Sequence, residues 1–194
     1  MSNQLEDYRA SLLSFAYEQE LIRQKLDTLV SEKEIENYYN AYPGNFELKN
    51  NIIKLRYVKL PLKAPNPDKV KTWLKQGDNN KLEQYCRLYA VNYLLHDDDW
   101  LMMEDVLKEI PLGDYSSEQF SRNNRLLEIK DKDYLYLVNI SGFMVKETKA
   151  PLSFAKENIR NIILNKRKIR LIQQMQEEAY REALDNKDAE VYGK

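Results

Sequence analysis

Apolar positions at the start of the chain recur in steps of three and four: Leu5, Tyr8, Leu12, Phe15, then Gln19, Ile22, Leu26 and Leu29. That is the spacing of one helical stripe. A rod of about 25 residues spans roughly 37 Å and cannot cover its own stripe. The pattern therefore asks for a partner helix, expected from the same chain, with a dimeric coiled coil as the rival. Gln19, sitting in the seam, argues against a strong zipper. The expected partner lies at the far end. Pro151 marks a break, Ser153 is placed as an N-cap, and a helix is predicted from Phe154 to Asn186. Ala155, Ile159, Ile162, Ile163, Ile169, Ile172, Met175, Ala179 and Ala183 form its apolar side.

Between these rods the period changes. V-S-E-K-E-I-E-N-Y-Y-N-A-Y-P-G-N-F (Val30–Phe46) opens with a capping box, Ser31 with Glu34, and ends at Pro43-Gly44. I-I-K-L-R-Y-V-K-L-P-L (Ile52–Leu62) is rich in residues that favour strands. Asn66 and Pro67 then suit the start of a helix over Asp68–Gln76, which stops at Gly77. A second helix is predicted over Asn79–Leu95. A third runs through Trp100, Met103, Leu107 and Ile110, with Asp97–Asp99 placed as its acidic cap. Leu126–Lys130 and Tyr134–Lys146 read as strands joined by a tight D-K-D turn, with Gly142 marking a bulge. The middle section is thus β-α-α-α-β-β. The fold class is α+β, with a helical lobe built from residues 1–50 and 148–194 and an inserted module at 51–147.

Composition narrows the function classes. In 194 residues, 31% are charged and 43% hydrophobic, a globular balance. The formal net charge of −1 gives no pull toward nucleic acid or membrane. The basic cluster N-K-R-K-I-R in the last helix lies in no nucleic-acid-binding motif and reads as a solvated face. No run of about 18 apolar residues spans a bilayer, and the opening M-S-N-Q-L-E-D carries no basic-then-apolar signal pattern. Cys86 is alone and at helical spacing with Leu82 and Tyr89, so it reads as a buried thiol. Asp97-Asp98-Asp99 project in different directions and do not make a cation site, and no cofactor-binding motif is present. Fourteen tyrosines against five glycines is the odd feature.

Three stretches carry a resemblance that covers nearly all of the chain. Val30–Phe46 resembles the linker helix of the SurA/PrsA type of bacterial extracytoplasmic folding factor, whose paired tyrosines and phenylalanine precede a parvulin-type peptidyl-prolyl isomerase module. I-K-L-R-Y-V-K-L (Ile53–Leu60) resembles the first parvulin strand. P-L-S-F-A-K-E-N-I-R-N-I-I-L-N-K-R-K (Pro151–Lys168) resembles the family's return helix. The resemblance implies a helical chaperone lobe with an inserted parvulin-like module. Parvulins place histidines on the first and last strands around an apolar proline pocket, with a Cys or Asp nearby. Here those positions fall on Tyr57 and Tyr136, and Asp97 is the acidic match. His96, the one histidine, matches neither strand position.

Two tyrosines do not reproduce an imidazole pair. The resemblance therefore implies a chaperone that binds unfolded or proline-containing segments, with weak or absent isomerase activity. The alternatives are an active isomerase using Tyr57, Tyr136 and Asp97, and a scaffold that contacts a partner protein. Exposed aromatics expected to touch a client are Tyr42, Tyr57, Tyr115, Tyr136 and Phe143. The implied partners are extended polypeptides, with no metal, cofactor or nucleic acid, as monomer or weak dimer. The implied location is the periplasm or outer membrane, through a removed leader or lipid anchor.

Overall fold

A computed structural model describes residues 2–112 and 126–186. Among these residues it is an α+β chain of six α-helices and one five-stranded antiparallel sheet. It divides into two compact units: Met1–Ala41 with Lys156–Lys194, and Tyr42–Ala155. No helix among the described residues is long and apolar enough to cross a membrane.

The first unit holds α1 (Ser2–Lys25), α2 (Glu32–Ala41) and most of α6 (Leu152–Asp185). The capping box at the start of α2 is present: the Ser31 N–H donates to Glu34 Oε2 at 3.0 Å, and the Glu34 N–H to Ser31 Oγ at 3.3 Å. Arg167 of α6 reaches the same corner. It donates to the carbonyls of Asp27 and Leu29 at 2.9 and 2.8 Å, and to Glu34 Oε1 at 2.5 Å. Backbone acceptors left bare between α1 and α2 are thereby satisfied.

The long stripe of α1 behaves differently from the expectation. The helix ends at Lys25 rather than Leu29, and Leu5, Tyr8, Leu12 and Phe15 are 50–72% exposed. The buried residue is Leu21, one position off the stripe. α6 starts at Leu152, so Ser153 lies inside the helix instead of capping it.

The second unit is built around β1 (Ile52–Pro61), buried on both faces. It pairs along its length with β5 (Tyr134–Met144), and β5 pairs with β4 (Leu126–Lys130). On its other edge β1 pairs with β2 (Asn92–Leu94) and, near its start, with β3 (Leu101–Met102), giving the order β2-β1-β5-β4. A register shift between Lys54 and Leu55, facing Gly142 and Ile140, is the bulge expected at Gly142.

Strand alternation sends Val58, Leu60, Leu135 and Leu137 to one face. There they pack on Val70 and Leu74 of α3 (Pro67–Gln76) and Leu82, Tyr85 and Cys86 of α4 (Asn79–Tyr89). The other face carries Ile53, Leu55, Tyr57, Tyr136, Val138 and Ile140, covered by Met103, Val106 and Ile110 of α5 (Met103–Glu109) and its flank. The chain enters and leaves this unit side by side. Leu48 donates to the Thr148 carbonyl and accepts from Glu147, both at 2.8 Å, with Glu147 at φ 65°.

Three local expectations change. The helix predicted to Leu95 stops at Tyr89, because Ala90 is extended and the Val91 N–H turns to the Lys59 carbonyl, starting β2. Asp97–Asp99 do not cap a helix: β3 intervenes, and α5 begins after Met102 with no side-chain cap. Asn66 precedes Pro67 in the left-handed region and makes no side-chain cap, whereas Asp78 caps α4 through the Lys81 N–H.

Candidate functional site

The sheet face beneath α5 opens into a cleft of about 260 Å³, walled by Leu55 and Tyr57 of β1, Tyr93 and Leu94 of β2, Leu101 and Met102 of β3, and Val106 and Ile110. Asp105 and Glu109 also line it. It exists because β2 and β3 are short and leave a gap between them along one edge of β1, while α5 stands over that gap. The volume is just below the roughly 300–1,000 Å³ of drug-sized sites. It suits one or two apolar side chains.

Tyr57 is the expected site residue that lines this cleft. Only 9% exposed, it is a wall residue rather than the exposed contact expected of it. Burial first, and then the Glu109 carboxylate, hold its phenol above the usual range, with the Lys59 ammonium acting the other way. The hydroxyl is therefore neutral at physiological pH.

Tyr136 is likewise buried, at 4% exposure. It shares the sheet face but sits opposite Lys59, while Tyr57 sits opposite Val138. Its hydroxyl donates to Asp131 Oδ2 at 2.8 Å. Asp131 in turn accepts the N–H groups of Asp133 and Tyr134 at 2.8 and 2.7 Å, and these two bonds hold its carboxyl below the ordinary range. The hydroxyl of Tyr136 is thus committed to the β4–β5 turn.

Asp97 is elsewhere. Its Oδ1 lies 3.8 Å from Arg56 Nε, and Arg56, next to Tyr57 on the strand, points to the opposite face. The Arg56 guanidinium approaches Gly77 at the end of α3. Of the three positions carried over from the parvulin pattern, Tyr57 and Tyr136 therefore share one sheet face and one core cluster, and Asp97 lies on the other face. Of the aromatics expected to touch a client, Tyr42 is 47% exposed at the start of a 3-10 turn, and Phe143 is half-buried against the core beside Ile53. Tyr115 lies outside the described residues.

The rim is a polar network that the sequence reading missed. Lys59 Nζ donates to Glu109 Oε1 at 3.1 Å, across fifty positions of sequence. Its ammonium also lies 4.9 Å from the Tyr134 ring centre and 5.4 Å from that of Tyr136. Glu109 is held below the usual carboxylate range by a hydrogen bond from Asn92 and then by Lys59. The i, i+4 pairs Asp105/Glu109 and Val106/Ile110, on α5 and its C-cap, were the available local signal: one acidic and one apolar pair.

This arrangement can bind but holds little chemistry. Cys86 is buried on the far face of the sheet, its thiol pushed up to about 12 by burial, and is inert as a nucleophile. The cleft walls offer apolar contact, and Glu109 at the rim is already paired.

No family model matches the chain, and no curated protein matches it. A solved structure from Campylobacter jejuni, one of a structurally related pair of SurA-like chaperones (the virulence factor PEB4 and the periplasmic protein Cj1289), aligns over 99% of this chain and 74% of its own, with a TM-score of 0.36 and 10% identity. A likeness that low leaves the functional reading to the residues of this chain.

Proposed function

We propose that the protein is an extracytoplasmic folding factor of the chaperone kind, whose second unit holds an extended polypeptide segment by seating a proline or other small apolar residue in the Tyr57 cleft. The observation that carries this reading is the cleft itself. It is concave and apolar, and it lies on the same strand face where the resemblance to parvulins puts a proline pocket. Tyrosine and methionine walls tolerate varied apolar guests at low entropy cost. The extracytoplasmic location, the parvulin-like module at 51–147 and the helical lobe at 1–50 and 148–194 rest on the resemblance of Val30–Phe46, Ile53–Leu60 and Pro151–Lys168.

Holding without turning is the more economical account of the site. Rotation about a prolyl bond crosses a barrier of about 18–20 kcal/mol, and lowering it requires groups placed for the twisted amide. The Tyr136 hydroxyl donates to Asp131, and Asp97 lies on the other face of the sheet, 3.8 Å from Arg56 Nε, so the three positions do not converge on one amide. The test is a proline-limited refolding reaction with the protein at catalytic and at equal ratios. The expected result is no acceleration at catalytic ratios and slowed refolding at equal ones. Val106→Phe, which fills the cleft, should relieve that slowing. Acceleration at catalytic ratios that Tyr57→Phe abolishes would establish an isomerase instead.

A further inference from the structure

The walls of the Tyr57 cleft are apolar, but the charge at its mouth has one sign. Among the described residues, the charged side chains that line it are Asp105 and Glu109, four positions apart on α5. That spacing puts both on one side of the helix, with Cβ atoms about 5–6 Å apart. The two differ in what they have left to offer a guest. Glu109 already accepts from Lys59 Nζ at 3.1 Å and from Asn92, and the Lys59 side chain is only 17% exposed. Asp105 pairs with Lys108, three residues on in the same helix, at 2.7 Å, and both side chains are more than half exposed. An exposed pair of this kind contributes little and exchanges readily with a cation from outside. Glu104 adds a third acid against one lysine, so α5 carries a net charge of −2 (three acids, one lysine).

We infer that the cleft selects client segments in which the seated apolar residue has a lysine or arginine within two positions, with Asp105 the side chain that recognises the positive charge. This rests on the reading of the cleft as a client site. An extended guest advances about 3.3 Å per residue and turns alternate side chains to the same face, so its next side chain on that face stands about 6.6 Å away. Asp105 is within that reach, because it neighbours Val106, which walls the cleft itself. A glutamate at the same place would meet Asp105 and Glu109 together and be repelled. The formal charge of the whole chain is only −1, too small to draw basic segments from a distance, so the preference is local to the cleft.

The test uses the full chain and three short labelled peptides, Gly-Lys-Leu-Pro-Lys-Gly and its Gln and Glu counterparts, followed by fluorescence anisotropy. Attraction to the first and repulsion of the last, each an exposed-pair effect, should separate their dissociation constants about 5–20-fold, with the Gln peptide between them. The ratio should shrink as salt rises from roughly 0.05 to 0.5 M. Asp105→Asn should narrow it and Asp105→Lys reverse it, whereas Glu83→Gln, on α4 away from the cleft, should leave it unchanged. Val106→Phe should weaken all three peptides, and Tyr93→Ala, at a partly exposed wall position, gives the same readout if the larger ring upsets the fold. Equal binding of the three peptides, lost in the cleft variants, overturns the inference and leaves the client site standing. A preference that survives Asp105→Lys, or that the cleft variants do not touch, also overturns it by placing the cation elsewhere. Binding of none of the peptides overturns the client site and the inference together.

Discussion

Replacing Gly142 by alanine tests how the cleft is framed. A Cβ at this position would stand 2.9 Å from Cη2 and 3.3 Å from Cζ3 of Trp100, and 3.5 Å from the Lys54 Cβ. The Gly142 backbone is not in the left-handed region, so the cost is purely steric. The indole has little freedom to retreat. The Lys54 ammonium lies 5.5 Å from its ring centre and donates to the Asp98 carbonyl at 2.5 Å, tying down the loop that carries Trp100. Overpacking of this kind costs about 1–3 kcal/mol, while the stiffer unfolded chain returns about 0.4–1 kcal/mol. The net expectation is a loss of about 1 kcal/mol. It should be read from urea unfolding in a Trp73→Phe background, where Trp100 is the one indole reporter. Because Trp100 adjoins β3, which walls the cleft, the hold on a client should weaken as well. Removing the ring first changes the sign of the argument: in a Trp100→Ala background, Gly142→Ala should be neutral or stabilising. If Gly142→Ala leaves both the unfolding midpoint and the Trp100 emission unchanged, the steric account is wrong.

Two further outcomes follow from the electrostatics. Cys86, with its thiol near 12, should resist alkylation at pH 8 in the folded protein and react stoichiometrically once unfolded in urea; rapid labelling of the native chain would place it outside the core. Asp131 and Glu109 both have carboxyls held below their ordinary values, by the Asp133 and Tyr134 N–H groups and by Asn92 with Lys59 respectively. A depressed folded value means stability that is present at neutral pH and is lost as pH falls through the ordinary carboxylate range of about 4 toward the folded values. The urea midpoint should therefore decline below about pH 5, and Asp131→Asn should flatten that decline. An Asp131→Asn profile parallel to that of the unaltered chain would remove Asp131 from the account.

What could be read from the sequence is what depends on neighbours along the chain. The Ser31–Glu34 box, the stop at Gly77, the D-K-D turn and the bulge at Gly142 are each decided by a few adjacent residues, and each is in the structure. The α3, α4 and α5 helices were likewise visible as periodic segments. Their ends were less so, because a distant partner decides them. Tyr93 looked like one more apolar step of α4 until the Lys59 carbonyl took the Val91 N–H and made β2.

The site failed to show for the same physical reason. Cleft walls come from β1, β2, β3 and α5, spread over more than fifty positions, and no spacing rule joins Lys59 to Glu109. Carrying a family pattern across also assumes that a side chain at the right strand position aims at the site. Tyr136 is in register for that role, yet Asp131, five residues earlier and fixed by two backbone donors, captures its hydroxyl. Asp97 is close in sequence to the cleft wall, yet strand alternation pairs it with Arg56 on the other face. The stripe of α1 is the converse case. The expected stripe ran to Leu29, but α1 stops at Lys25, Leu5, Tyr8, Leu12 and Phe15 are exposed, and the buried side chain is Leu21, one position off it; a 3.6-residue repeat states only that one side wants covering. Which element covers that side is set by residues distant in the chain, and no local spacing in α1 encodes it, just as none joins Lys59 to Glu109.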